Sequence, residues 1–365
     1  MNRPVPVPRF ATLATLAALS APAACGGGSA SPSGDDGGAT DAPSGTDAPS
    51  SSGDGSTPDG GSHDGATSEA SQGDAGTGDG GGTTDAPSSE SGSDAAMGPH
   101  PIAIIMMENH GYSDIIGDTT DAPYINGLAT GYASATMWTD VNHPSLPNYL
   151  ALTSGSFYND PQDCIPTWAT PTGDCTFDAP DTSLADQLTT AGITWKAYAE
   201  DLPSVCDTKD SFTGNYDVNH VPFLYYDHVV QTASECNLIV PYTQLATDIA
   251  ADALPTFVWI TPNLIDDMHD GTIADGDTFL SGVIPKIQAT SWYKSGGSII
   301  VTWDEGETEE QIVAIVVSLA NAGHGAFATP GNHFGTLRGI EEVYGLKLLG
   351  SAADATNGDV EPLLQ

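Results

Sequence analysis

The stretch PIAIIMMENHGYS, residues 101–113, decides the fold class of this chain. Its first seven residues form an apolar run, which is typical of a strand buried on both faces of a parallel sheet. The run ends at Glu108 and Asn109, so a carboxylate and an amide oxygen follow the predicted strand. The stretch therefore predicts a covered parallel sheet with polar side chains at one edge.

Similar apolar runs alternate with segments of helical spacing along the rest of the chain. The predicted strands are 101–109, 193–201, 255–264, 296–307 and 310–320. The predicted helices are 145–155, 182–192, 277–290 and, beginning after His333, 332–346. This alternation predicts an α/β fold with a mostly parallel sheet and helices on both of its faces. Ligands of such folds bind outside the carboxyl ends of the strands.

Residues 1–25 have the composition of a secretory signal peptide. Arg3 and Arg9 precede an apolar run that is too short to span a membrane, and the segment contains no acidic residue. Cys25 follows small residues as in bacterial lipoproteins, so we expect an exported protein with a lipid anchor on Cys25. Pro22 stands where leucine is usual, which leaves ordinary cleavage and secretion as the alternative.

Residues 26–98 are dominated by Gly, Ser, Asp, Thr, Ala and Pro, and TDAPS occurs three times. Such a segment has too little apolar surface to offset the entropy of ordering it. It contains 13 acidic residues and neither lysine nor arginine, so its charges repel one another. We expect a disordered, extended linker.

Residues 99–365 have the length of one domain. Of the chain's 48 acidic and 8 basic residues, 13 acids lie in the linker and two arginines in the signal peptide. The domain therefore has 35 acids and 6 bases, a net charge of −29. So few basic residues argue against binding to nucleic acid. We expect a monomer that acts on small substrates and reaches a membrane only through its lipid anchor.

An even number of cysteines in an exported domain predicts disulfides. Three pairings of Cys164, Cys175, Cys206 and Cys236 exist. On sequence proximity alone we predict Cys164–Cys175 and Cys206–Cys236.

A second polar doublet, Asp304 and Glu305, lies towards the end of the predicted strand 296–307, as Glu108 and Asn109 lie at the end of theirs. Two carboxylates ~4 Å apart repel by ~4 kcal/mol at an effective dielectric constant of ~20, so a cation is expected between them. Oxygen ligands suit Ca²⁺, Mg²⁺ or Mn²⁺, and Zn²⁺ or Fe if histidines take part. Each doublet taken alone is also explained as solvated acids at a strand end.

Ser145 opens the predicted helix 145–155. An N-cap alone explains a serine at this point. If a metal ion lies nearby, it can hold the serine as an alkoxide nucleophile. The helix N-terminus would then favour a phosphoryl anion as its ligand.

Four histidines lie in loops beside the predicted strand ends: His110, His143, His269 and His333. A loop histidine is usually solvated, but His269 lies among five acids in 266–277. This cluster predicts either a second cation or a role for His269 as a phosphate donor or leaving-group acid. We interpret His220 and His228 as structural.

Six motifs occur in order along the domain: MMEN (106–109), NHPSLPNYLALTSG (142–155), TPNLIDDMHDG (261–271), GDTFLSGVIPKI (276–287), GGSIIVTWDEG (296–306) and NHFGTLRGIEEVYGL (332–346). Together they resemble the bacterial phosphoesterase family of metal-dependent acid phosphatases and phospholipases C, within the alkaline-phosphatase superfamily. The resemblance covers roughly residues 100–350. It implies a three-layer α/β/α sandwich and a covalent phosphoseryl intermediate.

The resemblance also implies a site. The implied metal ligands are Glu108, Asn109, Ser145, Asp304 and Glu305, and Ser145 is also the implied nucleophile. The implied residues of the phosphate pocket are His143, His269, His333 and Asp277, and the three histidines are expected to assist catalysis. The chain departs from the family at His110, where arginine or another polar residue is frequent, and in the short acidic stretch 307–317.

The favoured function is that of a metal-dependent phosphomonoesterase of the acid-phosphatase type. A phosphodiesterase or phospholipase C that uses the same site is one alternative. A surface lipoprotein without enzymatic activity is the other.

Overall fold

The computed structural model describes residues 98–158, 162–166, 168, 175–177, 182–209 and 212–364. The predicted signal peptide, with Cys25, and linker residues 26–97 lie outside the described residues. All described residues belong to one compact unit, Pro87–Gln365. Among them, no helix combines the length and the apolar character needed to cross a membrane.

The strands of the described residues are β1 Ile102–Met107, β2 Ala133–Ala135, β3 Trp138–Thr139, β4 Trp195–Ala199, β5 Phe212–Thr213, β6 Tyr216–Asp217, β7 Ile239–Pro241, β8 Phe257–Thr261, β9 Ser298–Trp303, β10 Ala314–Val317, β11 Gly325–Phe327 and β12 Gly331–Asn332. The α-helices are α1 Tyr112–Ile115, α2 Pro123–Gly131, α3 Ser145–Ser154, α4 Leu184–Ala191, α5 Asp227–Gln231, α6 Ala233–Cys236, α7 Thr243–Ala250, α8 Ile273–Gln288, α9 Ser291–Lys294, α10 His333–Val343 and α11 Glu361–Leu364. Short 3₁₀ helices span Val218–His220, Pro222–Tyr225, Gly350–Ala353 and Ala355–Asn357.

The main sheet has eight strands in the order β11-β2-β10-β9-β1-β8-β4-β7. The five strands from β9 to β7 are parallel, and β10 is antiparallel to both of its neighbours. Strand β11 pairs in parallel with β2, so β10 alone in this sheet runs in the opposite direction. The predicted α/β sandwich with a mostly parallel sheet is confirmed.

The centre of the sheet consists of β9, β1 and β8, whose residues are buried throughout. This is the environment that their continuous apolar sequences predicted, because each strand is covered on both faces. Three strands of the main sheet, β2, β7 and β11, were not predicted from the sequence. Each has only three residues, which is too short for a periodic pattern to be recognised.

Helix ends follow the local sequence. Helix α3 ends at Gly155, whose φ of 70° is left-handed. A Cβ at this position would lie 2.2 Å from the carbonyl oxygen of Leu349, so only glycine fits. Helix α8 begins at Ile273, four residues before the predicted start, because Thr272 and Asp275 form a capping box.

Both predicted disulfides are present. Cys164 bonds to Cys175 and Cys206 bonds to Cys236, with Cα–Cα distances of 5.8 and 5.2 Å. Two disulfides are typical of an exported protein.

A buried carboxylate in α10 makes the stability depend on pH. Glu341 is fully buried, and both of its side-chain oxygens accept from the N–H of Leu349. Burial raises the pKa of Glu341 to about 7. A raised carboxyl pKa contributes stability that is complete below the unfolded-state pKa and is lost as the pH rises through the folded-state pKa. Glu341 therefore destabilises the fold at pH 8 relative to pH 5.

We expect Glu341→Gln to remove this pH-dependent loss, because glutamine keeps an acceptor for Leu349 and carries no charge. The difference in unfolding free energy between variant and wild type should grow by ~2 kcal/mol from pH 5 to pH 8. Urea unfolding at both pH values measures it. Glu307→Gln, which removes an exposed carboxylate, is the control. Equal pH slopes for Glu341→Gln and wild type would contradict the prediction.

Candidate active site

The two polar doublets meet at the ends of adjacent strands. Met107 pairs with Trp303 in the register of β1 and β9, and the N–H of Asp304 donates to the carbonyl of Met107 over 2.9 Å. The N–H of Asn109 donates to Oδ1 of Asp304 over 3.1 Å. Asn109 has a left-handed φ of 51°, so the chain turns directly after the strand. The structure thereby brings Glu108, Asn109 and Asp304 together.

Ser145 joins this group from the first turn of α3. Its hydroxyl donates to Oε2 of Glu108 over 3.1 Å and lies 3.5 Å from Oδ1 of Asn109. Pro144, not Ser145, is the N-cap residue, and no side chain caps the helix. An N-cap role therefore does not explain Ser145, whose hydroxyl faces the acidic cluster.

The N-terminus of α3 already has a carboxylate. The N–H of Leu146 donates to Oδ1 of Asp163 over 3.0 Å. Burial raises the pKa of Asp163, and the hydrogen bond from Leu146 offsets only part of this increase. A phosphoryl anion was predicted at this helix N-terminus, on the condition that a metal ion lies nearby. Asp163 was not predicted, because it lies in a loop without a recognisable pattern.

Asn148 fixes the loop before α3. Its amide oxygen accepts from the N–H groups of Val141 and Asn142, and its amide nitrogen donates to the carbonyl of Asn142 over 2.7 Å. This loop places Nδ1 of His143 3.0 Å from Oε2 of Glu305. The imidazole of His143 is half exposed. His143 and Glu305 therefore lie at the open side of the cluster.

His220, interpreted as structural from sequence, is buried at the centre of the cluster. Its Nε2 lies 3.4 Å from Oε1 of Glu108, and its Nδ1 lies 3.2 Å from Oδ2 of Asp267. Its ring stacks on Tyr149, whose hydroxyl donates to Glu108. No periodic pattern marks His220, because it ends a one-turn 3₁₀ helix and meets residues far away in the sequence.

His269 lies on the other side of Glu108. Its Nδ1 is 3.5 Å from Oε2 of Glu108 and 2.9 Å from the amide nitrogen of Asn109. Oδ1 of Asp267 accepts from the N–H of His269 over 2.7 Å. The side chain is one-third exposed, so the imidazole can reach both the cluster and a substrate.

His333 contacts the site through the backbone of Asp304. It is fully buried, and its Nε2 donates to the backbone carbonyl of Asp304 over 2.6 Å. This bond fixes the neutral tautomer with a lone pair on Nδ1. Burial lowers the pKa of His333 to about 4. The structure thus connects His333 to Asp304 and not to an open phosphate pocket.

Asp277 has a different place from the one the resemblance implied. Its two carboxylate oxygens accept from the N–H groups of Tyr124 and Ile125 in the first turn of α2. Among the described residues, Asp277 forms no hydrogen bond or ion pair with the cluster around Glu108. The structure does not bring it together with the other predicted site residues.

Electrostatics sets Glu108 apart from its neighbours. Burial alone would raise the pKa of Glu108, but the charge of His220 and hydrogen bonds from His269 and Tyr149 outweigh it and lower the pKa. Burial would lower the pKa of His220, but the charges of Glu108 and Asp267 raise it well above its usual range. Glu108 and His220 therefore form a buried ion pair.

The charges of the second doublet, Asp304 and Glu305, are compensated only in part. Burial, followed by the charges of Glu108 and Glu305, raises the pKa of Asp304 well above its usual range. Burial and Glu108 also raise the pKa of Glu305 to about 7, against the effect of His143. The nearby imidazoles therefore do not outweigh burial and the repulsion among these carboxylates.

The residues present fit a bound cation. Oδ2 of Asp304 and Nδ1 of His333 are buried and have no hydrogen-bond partner among the described residues, which is costly unless another group uses their lone pairs. Glu108, His220 and His269 also offer ligand atoms within 4.8 Å of one another, and a cation bound by all three would displace the proton of His220. Carboxylate, amide and imidazole donors of this kind suit a divalent cation.

Comparisons with known proteins concern the family and the fold. The sequence model of the Phosphoesterase family matches residues 118–336. A phosphatidylinositol-3-phosphatase of Mycobacterium tuberculosis is 33% identical over 265 residues, which make up 70% of this chain and 80% of that protein. An acid phosphatase of Aspergillus fumigatus is 28% identical over 56% of this chain and 44% of its own length. The chain thus spans less than half of that acid phosphatase.

Among solved structures, a protein in the alkaline phosphatase superfamily from Vibrio parahaemolyticus aligns with a TM-score of 0.51. The alignment covers 72% of this chain and 70% of that chain at 12% sequence identity. Likeness at this level of identity concerns the fold alone.

Proposed function

The chain belongs to the phosphoesterase family, a family of hydrolases that act on phosphate esters, and we propose that it is a metal-dependent phosphomonoesterase with Ser145 as its nucleophile. The observation that carries the proposal is the hydrogen bond from the Ser145 hydroxyl to Glu108. The hydroxyl thereby faces a buried carboxylate that can accept its proton as the oxygen attacks.

In the proposed reaction, Oγ of Ser145 attacks the phosphorus atom of the ester and its proton passes to Glu108. The bond from phosphorus to the ester oxygen breaks, and protonated His269 gives the leaving oxygen its proton. Water then attacks the phosphoserine and gives a proton to His269. The bond to Oγ breaks as Glu108 returns its proton to Ser145, so phosphate is released and the site is restored.

Glu108, Asn109, Ser145, Asp304 and Glu305 would hold the cation, and His333 would fix the backbone of Asp304. When bound, a divalent cation supplies positive charge that offsets the carboxylates and attracts the phosphoryl group. The domain has a net charge of −29 and would otherwise repel anionic substrates. The positive charge of the cation would offset this repulsion at the site.

The proposed metal dependence has a direct test. After exhaustive chelation, we expect release of phosphate from an aryl phosphate to fall at least ~100-fold and to return when Mg²⁺, Mn²⁺, Ca²⁺, Zn²⁺ or Fe²⁺ is added one at a time. Circular dichroism before and after chelation is the control for loss of fold. Full activity in a folded protein with no detectable metal would refute the metal dependence.

A phosphodiesterase or phospholipase C using the same site is the second candidate. A substrate panel separates the two: an aryl phosphate monoester, the corresponding diester, phosphatidylcholine and phosphatidylinositol 3-phosphate. The last is included because a relative is named for acting on that monoester. Higher kcat/KM for the monoesters supports the proposal, and higher kcat/KM for either diester supports the second candidate. A metal-loaded protein inactive on all four would favour a non-enzymatic lipoprotein.

The two disulfides suggest an exported protein. We further propose that Cys25 carries the lipid that holds the enzyme at the cell envelope, with residues 26–98 as its linker. Mass spectrometry of the mature N-terminus tests this, because an unmodified N-terminus would indicate secretion.

A further inference from the structure

A second group of potential ligands lies apart from the site around Glu108. It consists of Asp186 in α4, His228 in α5 and Glu235 in α6. Each offers one ligand atom, and the three atoms lie within 4.8 Å of one another. We propose that these residues form a structural binding site for a zinc ion.

The first observation is two carboxylate oxygens without hydrogen-bond donors. Oε2 of Glu235 and Oδ1 of Asp186 are buried, and neither accepts a hydrogen bond from a residue that the structure describes. The side chain of Glu235 is 5% exposed, and its Oε2 lies 3.8 Å from Nδ1 of His228. Nδ1 is also 2.5 Å from Oδ1 of Asp186, but this approach is not a well-directed hydrogen bond. Potential ligand atoms of three side chains therefore lie close together.

The second observation is that local structure holds these ligands. The other carboxylate oxygen of Asp186 accepts from the N–H and the hydroxyl of Ser183, each over 2.8 Å, in a capping box. This leaves Oδ1 free to turn towards His228. Glu235 precedes Cys236, which a disulfide joins to Cys206. Ligands held in this way lose little entropy when they bind an ion.

The chemistry of the donors favours zinc. Two carboxylates and one neutral imidazole carry a net charge of −2, and oxygen and nitrogen donors together suit Zn²⁺, whereas Ca²⁺ prefers oxygen ligands alone. Half of the His228 side chain is exposed, so water can complete the coordination. Asp186 lies 42 residues before His228 and 49 before Glu235, so zinc would connect α4 to the segment that contains α5 and α6.

Zinc content and zinc-dependent melting test the site. The purified full-length protein is stripped with chelator and titrated with Zn²⁺ alone, and bound zinc and Tm are measured. We expect His228→Ala and Glu235→Gln each to bind one zinc fewer than the wild type. At saturation, wild type should gain ~5 °C more in Tm than either variant. Activity on an aryl phosphate, assayed with the active-site metal present, should change less than ~2-fold.

His324→Ala is the matched control, because it removes another exposed histidine in a loop. It should keep the zinc stoichiometry and the Tm gain of the wild type. Two variants guard against a failure to fold, since His228 is half exposed and glutamine has the shape of Glu235. If both variants keep the zinc stoichiometry and the Tm gain, the group is an ion pair only and the proposal is overturned.

Discussion

Ser145→Ala should lower kcat/KM for an aryl phosphate by at least ~1,000-fold. The hydroxyl is the proposed attacking group, it is buried beside Glu108 and Asn109, and alanine offers no replacement nucleophile. Because the hydroxyl caps no helix, stability should fall only by the cost of one hydrogen bond to a charged group, ~1.5–3 kcal/mol. Steady-state kinetics and urea unfolding measure the two effects.

Ser154→Ala is the matched control for this variant. Ser154 lies at the other end of the same helix, and its hydroxyl donates to the carbonyl of Leu150 over 2.8 Å. Removing it should cost less stability, ~0.5–1.5 kcal/mol for a hydrogen bond between neutral groups, and leave kcat/KM within ~3-fold of the wild type. Wild-type turnover by Ser145→Ala would end the proposed mechanism and leave the serine with a structural role.

Asp304→Asn should weaken metal binding at least ~100-fold and lower kcat/KM by a similar factor or more. Asparagine keeps the acceptor for the N–H of Asn109 but lacks the negative charge of Asp304. The raised pKa of Asp304 means that its ionisation opposes folding as the pH rises, unless a cation is bound. The Tm of the metal-free variant at pH 7 should therefore not fall below that of the metal-free wild type.

For Asp304→Asn we expect weaker metal binding but no loss of Tm in the metal-free protein. Replacing a purely structural acid would instead lower the Tm with and without metal. Tm with and without added Mg²⁺ or Mn²⁺, together with elemental analysis, measures them. Glu341→Gln is the control, because it neutralises a buried carboxylate of α10 without altering a proposed metal ligand. An Asp304→Asn protein that keeps its metal, or that is destabilised equally with and without metal, would rule out the proposed role of Asp304.

The sequence predicted the centre of the fold well because buried parallel strands leave a strong local signal. The apolar runs that became β1, β8 and β9 are continuous, and each is followed by polar residues. Helices α3 and α4 were found through their terminal glycines, Gly155 and Gly192, which are both left-handed. Helix α8 began earlier than predicted because its capping box precedes the apolar spacing.

The site was predicted in part, and the residues missed share a cause. Glu108, Asn109 and Asp304 stand at strand ends, where topology fixes their proximity. His220 and Asp163 lie in segments without regular periodicity and enter the cluster through long-range contacts. The local sequence around such residues contains no information about the partner they meet.

The sequence by itself determined the fold class, the strand ends that carry the acidic doublets, the disulfide number and the domain's excess of negative charge. Each of these follows from composition or from a short-range pattern. Only the tertiary structure decided that the Ser145 hydroxyl meets Glu108, that His220 is paired between two carboxylates, and that Asp277 turns to another helix. Burial and charge pairing decide these contacts, and both depend on residues that are distant in the chain.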